Sequence, residues 1–289
     1  MANETTTTSL NDLTYATLLE EDVQRELRPH RIFRNFLRQG PKGPSKAYTF
    51  NKIDDSGSTV TDITEGTTDL ITTLTSVAST GMLATAAQHG IVALVTDLVK
   101  TVSILDVGPL VTDVLARHMA EAYDAAAQGE IDSYANSTGG ATTNTLARLL
   151  TAVSALEQRD VGSRGETLVA GQHPKQVGDL RADAASLTAT FMAGNDANVS
   201  GILAASLDGY VGDPFGIPVF MSSTITSASS NYLGWVMANK AAVGAYELWL
   251  ERVEIQRDAS LVSDEVVCTS AYGFKLIDDN RIQGWKSTT

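Results

Sequence analysis

The stretch between Lys46 and Lys100 constrains this chain more than any other. Ala47-Tyr48-Thr49-Phe50 starts a strand, Asp54-Asp55-Ser56-Gly57 signals a turn, and nine threonines fall between Thr59 and Thr80. β-Branching at that density, with Ile63, Leu70, Ile71, Leu74 and Val77 interspersed, favours extended backbone. Gly90-Ile91-Val92-Ala93-Leu94-Val95 supplies a return strand. Large apolar residues are too few for the excursion to build its own core, and a two-stranded unit alone is marginal in water. Something outside it must hold it.

The remainder has the means to bury a core, since 43% of the 289 residues are hydrophobic. Residues 1–20 are polar and Thr-rich, the pattern of a loose terminus. Pro29 suits the first turn of a short helix that Gly40-Pro41 stops. In it Arg31, Arg34 and Arg38 share one face, and Phe33, Phe36 and Leu37 form an apolar face that needs a partner. That face is a docking surface or the edge of the core. Pro109 opens a helix to about Gln128-Gly129, with Val111, Val114, Leu115, Ala122 and Ala126 as its apolar stripe and a length of about 30 Å. Ser133 to Thr143 is a Gly/Ser/Thr-rich link with the look of a domain boundary.

Beyond it lies a helix capped by Asn144, with Leu146, Leu149, Leu150, Val153 and Leu156 on one face. A strand over 166–170 and a helix started by Pro174, carrying Val177 and Leu180, follow. Asp213 to Phe220 reads as turn then strand, and strands at 235–237, 248–257, 266–270 and 272–276 close the chain. Helices and strands alternate without a βαβαβ rhythm, so the class is α+β.

Charge is unevenly placed. Eight basic residues (Arg25, Arg28, Arg31, Arg34, Arg38, Lys42, Lys46, Lys52) and one acid, Glu26, lie between positions 25 and 52. That local excess of +7 within a net charge of −13 leaves −20 for the rest. The acidic bulk repels phosphates and argues against a general nucleic-acid binder, while the basic arm suits phosphate, an acidic partner, or merely water. No apolar run is long enough for a membrane helix, and the first residues lack a signal peptide's pattern. The single cysteine, Cys268, has no internal partner and sits in an apolar strand, which points to a reducing cytosol.

The motifs of chemistry are missing. His30, His89, His118 and His173 are far apart in sequence, and none forms a metal-ligand pair; His118 falls on the apolar stripe and reads as a core or interface histidine. No Gly-x-Ser-x-Gly or Gly-x-Gly-x-x-Gly occurs. Gly40-Pro41-Lys42-Gly43-Pro44-Ser45-Lys46 breaks the order of a phosphate loop, and its prolines remove N–H donors. Asp54-Asp55 and Asp278-Asp279 are turn residues rather than cation ligands. We expect no catalytic residue, metal or cofactor.

The serial order says more. A basic arm, a long β excursion, one long helix, an α/β middle and a strand-rich return resemble the tailed-bacteriophage major capsid proteins of the Hong Kong 97-like fold. Asp97-Leu98 to Gly108, then Ala122-Tyr123-Asp124-Ala125-Ala126, looks like that family's approach to its spine helix. Leu168 to Leu180, with His173-Pro174, looks like the strand and helix of its axial domain. Gly209 to Val219, ending Gly216-Ile217-Pro218-Val219, resembles the turn that domain displays. Arg257-Asp258 and Tyr272-Gly273-Phe274-Lys275-Leu276 resemble its closing strands.

The resemblance covers about residues 25–280 and implies an N-arm (1–45), an E-loop (46–95), a peripheral domain (96–137 with the spine helix, and 236–289) and an axial domain (138–235). It implies a shell subunit, made in a host bacterial cytoplasm, that assembles with itself as hexamers and pentamers into an icosahedral virion capsid. Portal, scaffolding or decoration proteins and packaged double-stranded DNA are the implied partners, and no membrane is. Arg25, Arg28, Arg31, Arg34 and Arg38 would line the interior or pair with acids of a neighbour. An encapsulin-type compartment, with Phe33, Phe36 and Leu37 lining a cargo pocket, is the alternative on the same fold; an enzyme with an unrecognised site is the alternative of another class. Some family members crosslink through an E-loop lysine, but this chain has none between Lys52 and Lys100.

Overall fold

A computed structural model of the chain describes residues 31–54, 78–102, 107–162, 165–191, 210–225, 227–228 and 231–288. Arg25, Arg28, Pro29 and most of the threonine-rich tract lie outside the described residues.

The described residues begin with a 3-10 turn, Phe33–Phe36, and a two-residue strand β1 (Arg38–Gln39). Strands β2 (Ala47–Asp54) and β3 (Ala78–Thr85) pair antiparallel as a two-stranded ribbon, from Ala47 opposite Thr85 to Asp54 opposite Ala78. After Ala86 the chain continues as β4 (Ala87–Thr96), then α1 (Asp97–Val102) and the long α2 (Val107–Ile131). Next come β5 (Ser137–Thr142), α3 (Leu146–Glu157), β6 (Leu168–Gln172) and α4 (Pro174–Phe191). The return comprises β7 (Tyr210–Gly212), β8 (Val219–Met221), β9 (Ser227–Ala228), β10 (Asn231–Ala238), β11 (Val243–Asp258), β12 (Ser263–Leu276) and β13 (Ile282–Thr288).

Two larger sheets result among the described residues. One has the order β1-β11-β12-β4; the other runs β5-β13-β10-β6-β8-β7, with β9 on β10. In the second, each tryptophan covers a glycine of the neighbouring strand. Trp235 on β10 lies over Gly171 on β6, and Trp285 on β13 lies over Gly234, where an added Cβ would meet the indole at 2.6 Å. The glycines are there because no side chain fits beneath the rings.

Helix α2 lies on the first sheet. Its buried face is Leu115, Ala116, Met119, Ala120, Tyr123, Ala127 and Ile131, packed in part on Val253, Val266 and Cys268. This corrects the expected stripe: Val114 is 46% exposed, and Ala122 is also exposed. Alanines 116, 120 and 127, too small to weigh in a hydrophobic count, are what let the helix approach the sheet. His118 is exposed beside Glu121, not in the core.

Three other expectations change. The supposed helix from Pro29 to Gly40 is, over its described part, only the 3-10 turn and β1. Its backbone bonds are made outward: the amides of Ile32 and Phe33 donate to Asp124, Gly40 N–H to the Ala245 carbonyl, and the Phe36 carbonyl accepts from Lys240. Asn144 does not cap α3; it is buried, and Asp183 from α4 accepts the Leu146 N–H instead. The Ser133–Thr143 link contains β5, which pairs parallel with β13.

Candidate functional site

The arm that enters through Arg31 is held by a buried cluster of charge. The carboxylate of Asp124, on α2, accepts the backbone N–H groups of Ile32 at 3.0 Å and Phe33 at 3.3 Å, capping the 3-10 turn from another element. Arg34 gives a fork to Glu247 of β11, Nε to Oε1 at 3.0 Å and Nη2 to Oε2 at 2.9 Å. The hydroxyl of Tyr123 donates to the same carboxylate at 2.6 Å. Arg31 pairs with Glu251 and lies 4.7 Å over the Tyr123 ring.

Burial sets the electrostatics. Desolvation pushes the Asp124 carboxyl up to about 7, against the opposing pull of the two amide bonds and Arg31. Desolvation also raises Glu251, which Arg31 counters, and raises the Tyr123 phenol. The Glu247 hydrogen bond raises Arg34.

Phe33, Phe36 and Leu37 belong to the core beneath, with Tyr123, Trp235, Met237 and Tyr272. Of the two readings, docking surface or edge of the core, the structure matches the second: the apolar side of the arm is covered by its own chain. Arg31 and Arg34 are likewise engaged within the chain. Arg38 is exposed on β1, and Lys42 and Lys46 are exposed on the connector to β2. That connector is pinned by the Tyr246 hydroxyl, which donates to the carbonyls of Ser45 at 2.6 Å and Gly43 at 3.3 Å. The positive segment is thus split into an anchored part and a displayed part.

The ribbon is supported on one face. Phe50, Ala84 and Ala86 pack with Tyr246 and Ile277, and Tyr48, Met82 and Leu248 join them; Lys52 reaches Asp278 at 2.9 Å. On the opposite face Thr49, Asn51, Leu83 and Thr85 are exposed. Strand alternation produces this division. A second exposed surface forms where β4, α1 and the β11–β12 turn meet: Leu94, Leu98, Val99, Leu261 and Val262 are 48–73% exposed. The Asp97 N–H binds the Val262 carbonyl at 3.1 Å, and Val262 has φ 50°, strained for a β-branched residue.

No group of three or more His, Cys, Asp or Glu side chains able to hold a metal occurs among the described residues. Cys268 is buried, as its apolar strand implied. Asp278 and Asp279 serve a turn and its neighbours: Asp278 accepts from Asn280 and Arg281, and Asp279 from Ala135 and Asn136. Asp55 lies outside the described residues.

Asp124, Glu247 and Glu251 escaped the sequence reading. The signal was available: Glu247 interrupts and Glu251 ends the apolar run Tyr246 to Leu250, at i and i+4, and two arginines at i and i+3 precede the excursion. A same-face acid pair in a strand that is otherwise apolar asks for cations.

Residues 106–283 match the family described as phage capsid protein. No curated protein is similar to the chain in sequence. Among solved structures, that of Mycobacterium phage Che8 superposes with a TM-score of 0.67 at 16% identity, covering 88% of this chain and 90% of that one. The acidic stable capsid of Helicobacter pylori bacteriophage KHP30 gives 0.64 at 13%, covering 87% of each chain. The holo-SrpI encapsulin complex of Synechococcus elongatus PCC 7942 gives 0.61 at 10%, covering 90% and 88%.

Proposed function

This chain belongs to the phage capsid protein family, and from that premise we propose how its surfaces build a shell and meet what the shell contains. It is a major capsid protein with the Hong Kong 97-like fold, a structural subunit of an icosahedral virion shell that assembles with itself.

The finer reading is that residues 1–45 act as the N-arm, 46–95 as the E-loop, 96–137 and 236–289 as the peripheral domain and 138–235 as the axial domain. The chain is made in a host bacterial cytoplasm, forms hexamers and pentamers, meets portal, scaffolding or decoration proteins, and encloses double-stranded DNA. One observation carries the assembly reading: the β2–β3 ribbon rests on its own subunit by one face only and presents Thr49, Asn51, Leu83 and Thr85 on the other. A neighbouring subunit that covers this face would also shield unpaired strand edges. The apolar corner of Leu98, Val99, Leu261 and Val262 supports the same reading, because exposed apolar patches mark interaction sites.

For DNA, the displayed cations Arg38, Lys42 and Lys46 are the contacts. Arg31 and Arg34 spend their charge on Glu251 and Glu247. Phosphate contact needs no sequence recognition and weakens steeply with salt. The encapsulin reading has the fold likeness to SrpI behind it, but the side chains assigned to a cargo pocket are buried in this subunit's core.

Electron microscopy of the purified protein tests the assembly reading. We expect closed icosahedral particles for the wild type and folded, unassembled subunits for Leu261→Asp. A monodisperse monomer at every concentration and salt would defeat it. Replacing Arg38, Lys42 and Lys46 by Gln should leave particles intact and reduce retained DNA; particles that fail to form would instead assign these cations to contacts between copies.

A further inference from the structure

Among the described residues, four other than glycine have a positive φ: Asp160 at 61°, Phe215 at 58°, Lys240 at 56° and Val262 at 50°. Local hydrogen bonds account for all four backbones. Past Asp160 the Val161 N–H reaches the Leu156 carbonyl at 3.1 Å and closes α3, and the Lys240 N–H donates to the Phe36 carbonyl at 2.8 Å. Around Phe215 the Gly216 N–H reaches the Asp213 carbonyl, and the Ile217 N–H the Pro214 carbonyl, both at 3.1 Å. The Val262 carbonyl accepts from Asp97, and the Asp258 carboxylate accepts the N–H groups of Ser260 and Leu261 just before it.

The turns explain the backbone but not every side chain. Asp160 and Lys240 are polar and exposed, which suits a turn in water. Phe215 and Val262 are apolar and 53% and 55% exposed. A bulky or β-branched residue is strained in the left-handed region, and glycine or asparagine would relieve it. Exposure adds a second cost, because the ring and the branched methyls gain nothing from burial. The free subunit loses on both counts, and its own packing gives no reason for either side chain. Strain kept at an exposed apolar residue points to a partner that covers it.

The two residues lie on different sheets. Phe215 is in the turn between β7 and β8 of the second sheet, and Val262 in the β11–β12 turn of the first, beside the exposed Leu261. Both turns are held firmly. Pro214 and Ile217 are buried on either side of Phe215, and Arg257 forks onto Asp97 at 2.7 and 2.6 Å next to Val262. Little is therefore left to order on docking. The partner is a second copy of this chain: a subunit that assembles with itself into a closed shell is bordered by copies. Closing a ring and joining rings take separate contacts, and two separate tips meet that need. We propose that Phe215 and Val262 are docking anchors for neighbouring copies, and that the free subunit is less stable for carrying them. This rests on the shell reading and names contacts within it.

Two measurements on the full-length protein read the two halves of the proposal: thermal melting below the critical concentration for particle formation, and that concentration itself, by light scattering. Asparagine accepts the left-handed backbone and removes the apolar surface. Phe215→Asn and Val262→Asn should each melt at or above the wild-type temperature. Each should also raise the critical concentration about tenfold or more, the loss that follows when a buried side chain of this size is removed. Lys240→Asn, which relieves the same backbone at a polar residue, should assemble as the wild type does. Lower melting of Phe215→Asn or Val262→Asn overturns the proposal, because the side chain then supports its own subunit. So does a wild-type critical concentration in either, or an equal rise in Lys240→Asn, which would assign the effect to the turn backbone. A wild type that never forms particles defeats the shell reading itself; particles that form equally well from the variants leave that reading standing and remove only the anchors.

Discussion

Gly273 sits where the ribbon meets the first sheet, and replacing it by alanine tests whether that junction aims the ribbon. An added Cβ there would overlap the Thr85 carbonyl, lying 2.6 Å from its carbon and 3.0 Å from the Ala86 nitrogen. All three nearest atoms are backbone, so no side chain can swing aside. Restoring an ordinary carbon–carbon separation of about 3.5–4.0 Å needs a displacement of about 1 Å. Applied at one strand of a pair about 4.8 Å apart, it turns the ribbon by about 12°. Eight residues of β2 at about 3.3 Å each make a rod of about 26 Å, whose far end then moves by about 5 Å. Overpacking of this kind costs about 1–3 kcal/mol, and each kcal/mol lowers Tm by about 2–4 °C in a large domain. Gly273→Ala should therefore remain folded by circular dichroism, melt several degrees lower, and assemble poorly when particle yield is followed by light scattering. Unchanged melting together with unchanged yield would refute the claim that this contact sets the ribbon's direction.

Gly129 provides the opposite sign: it is inside α2, and an added Cβ meets nothing within 4 Å. Gly129→Ala should raise stability by about 0.5–1 kcal/mol in a denaturant titration, through higher helix propensity and a less flexible unfolded chain. With no lysine between Lys52 and Lys100, purified shells boiled in denaturant should give a single band at the 30.6 kDa of the chain, and a ladder of covalent multimers would contradict this.

What could be read from the sequence was local. Pro174 starts α4, with Val177 and Leu180 buried as their spacing implied. The long helix was legible because its signals, Pro109 and the apolar periodicity, lie within the helix. What could not be read depended on distant partners. Arg31 and Arg34 find their acids 220 and 213 positions away, so their spacing suggested a helix face although the backbone makes a 3-10 turn. β5 is Ser-Thr-Gly-Gly-Ala-Thr, a composition of links, and becomes a strand only because β13 lies beside it. Asn144 has the chemistry of a helix cap, but the indole N–H of Trp285 and the Gln176 carbonyl claim it first.

The place of β13 also bears on the order of synthesis. It lies between β5 and β10, and Trp285 reaches across to Asn144, while β5 is made about half a chain earlier. Non-local pairing of this kind forms late, because a long loop must close before any contact rewards it. A nascent polypeptide interrupted before Ile282 has α3, α4 and β6 but lacks the strand that joins β5 to the rest of the second sheet. Without it β5 has no partner strand, and the edge of β10 that β13 covers is left open.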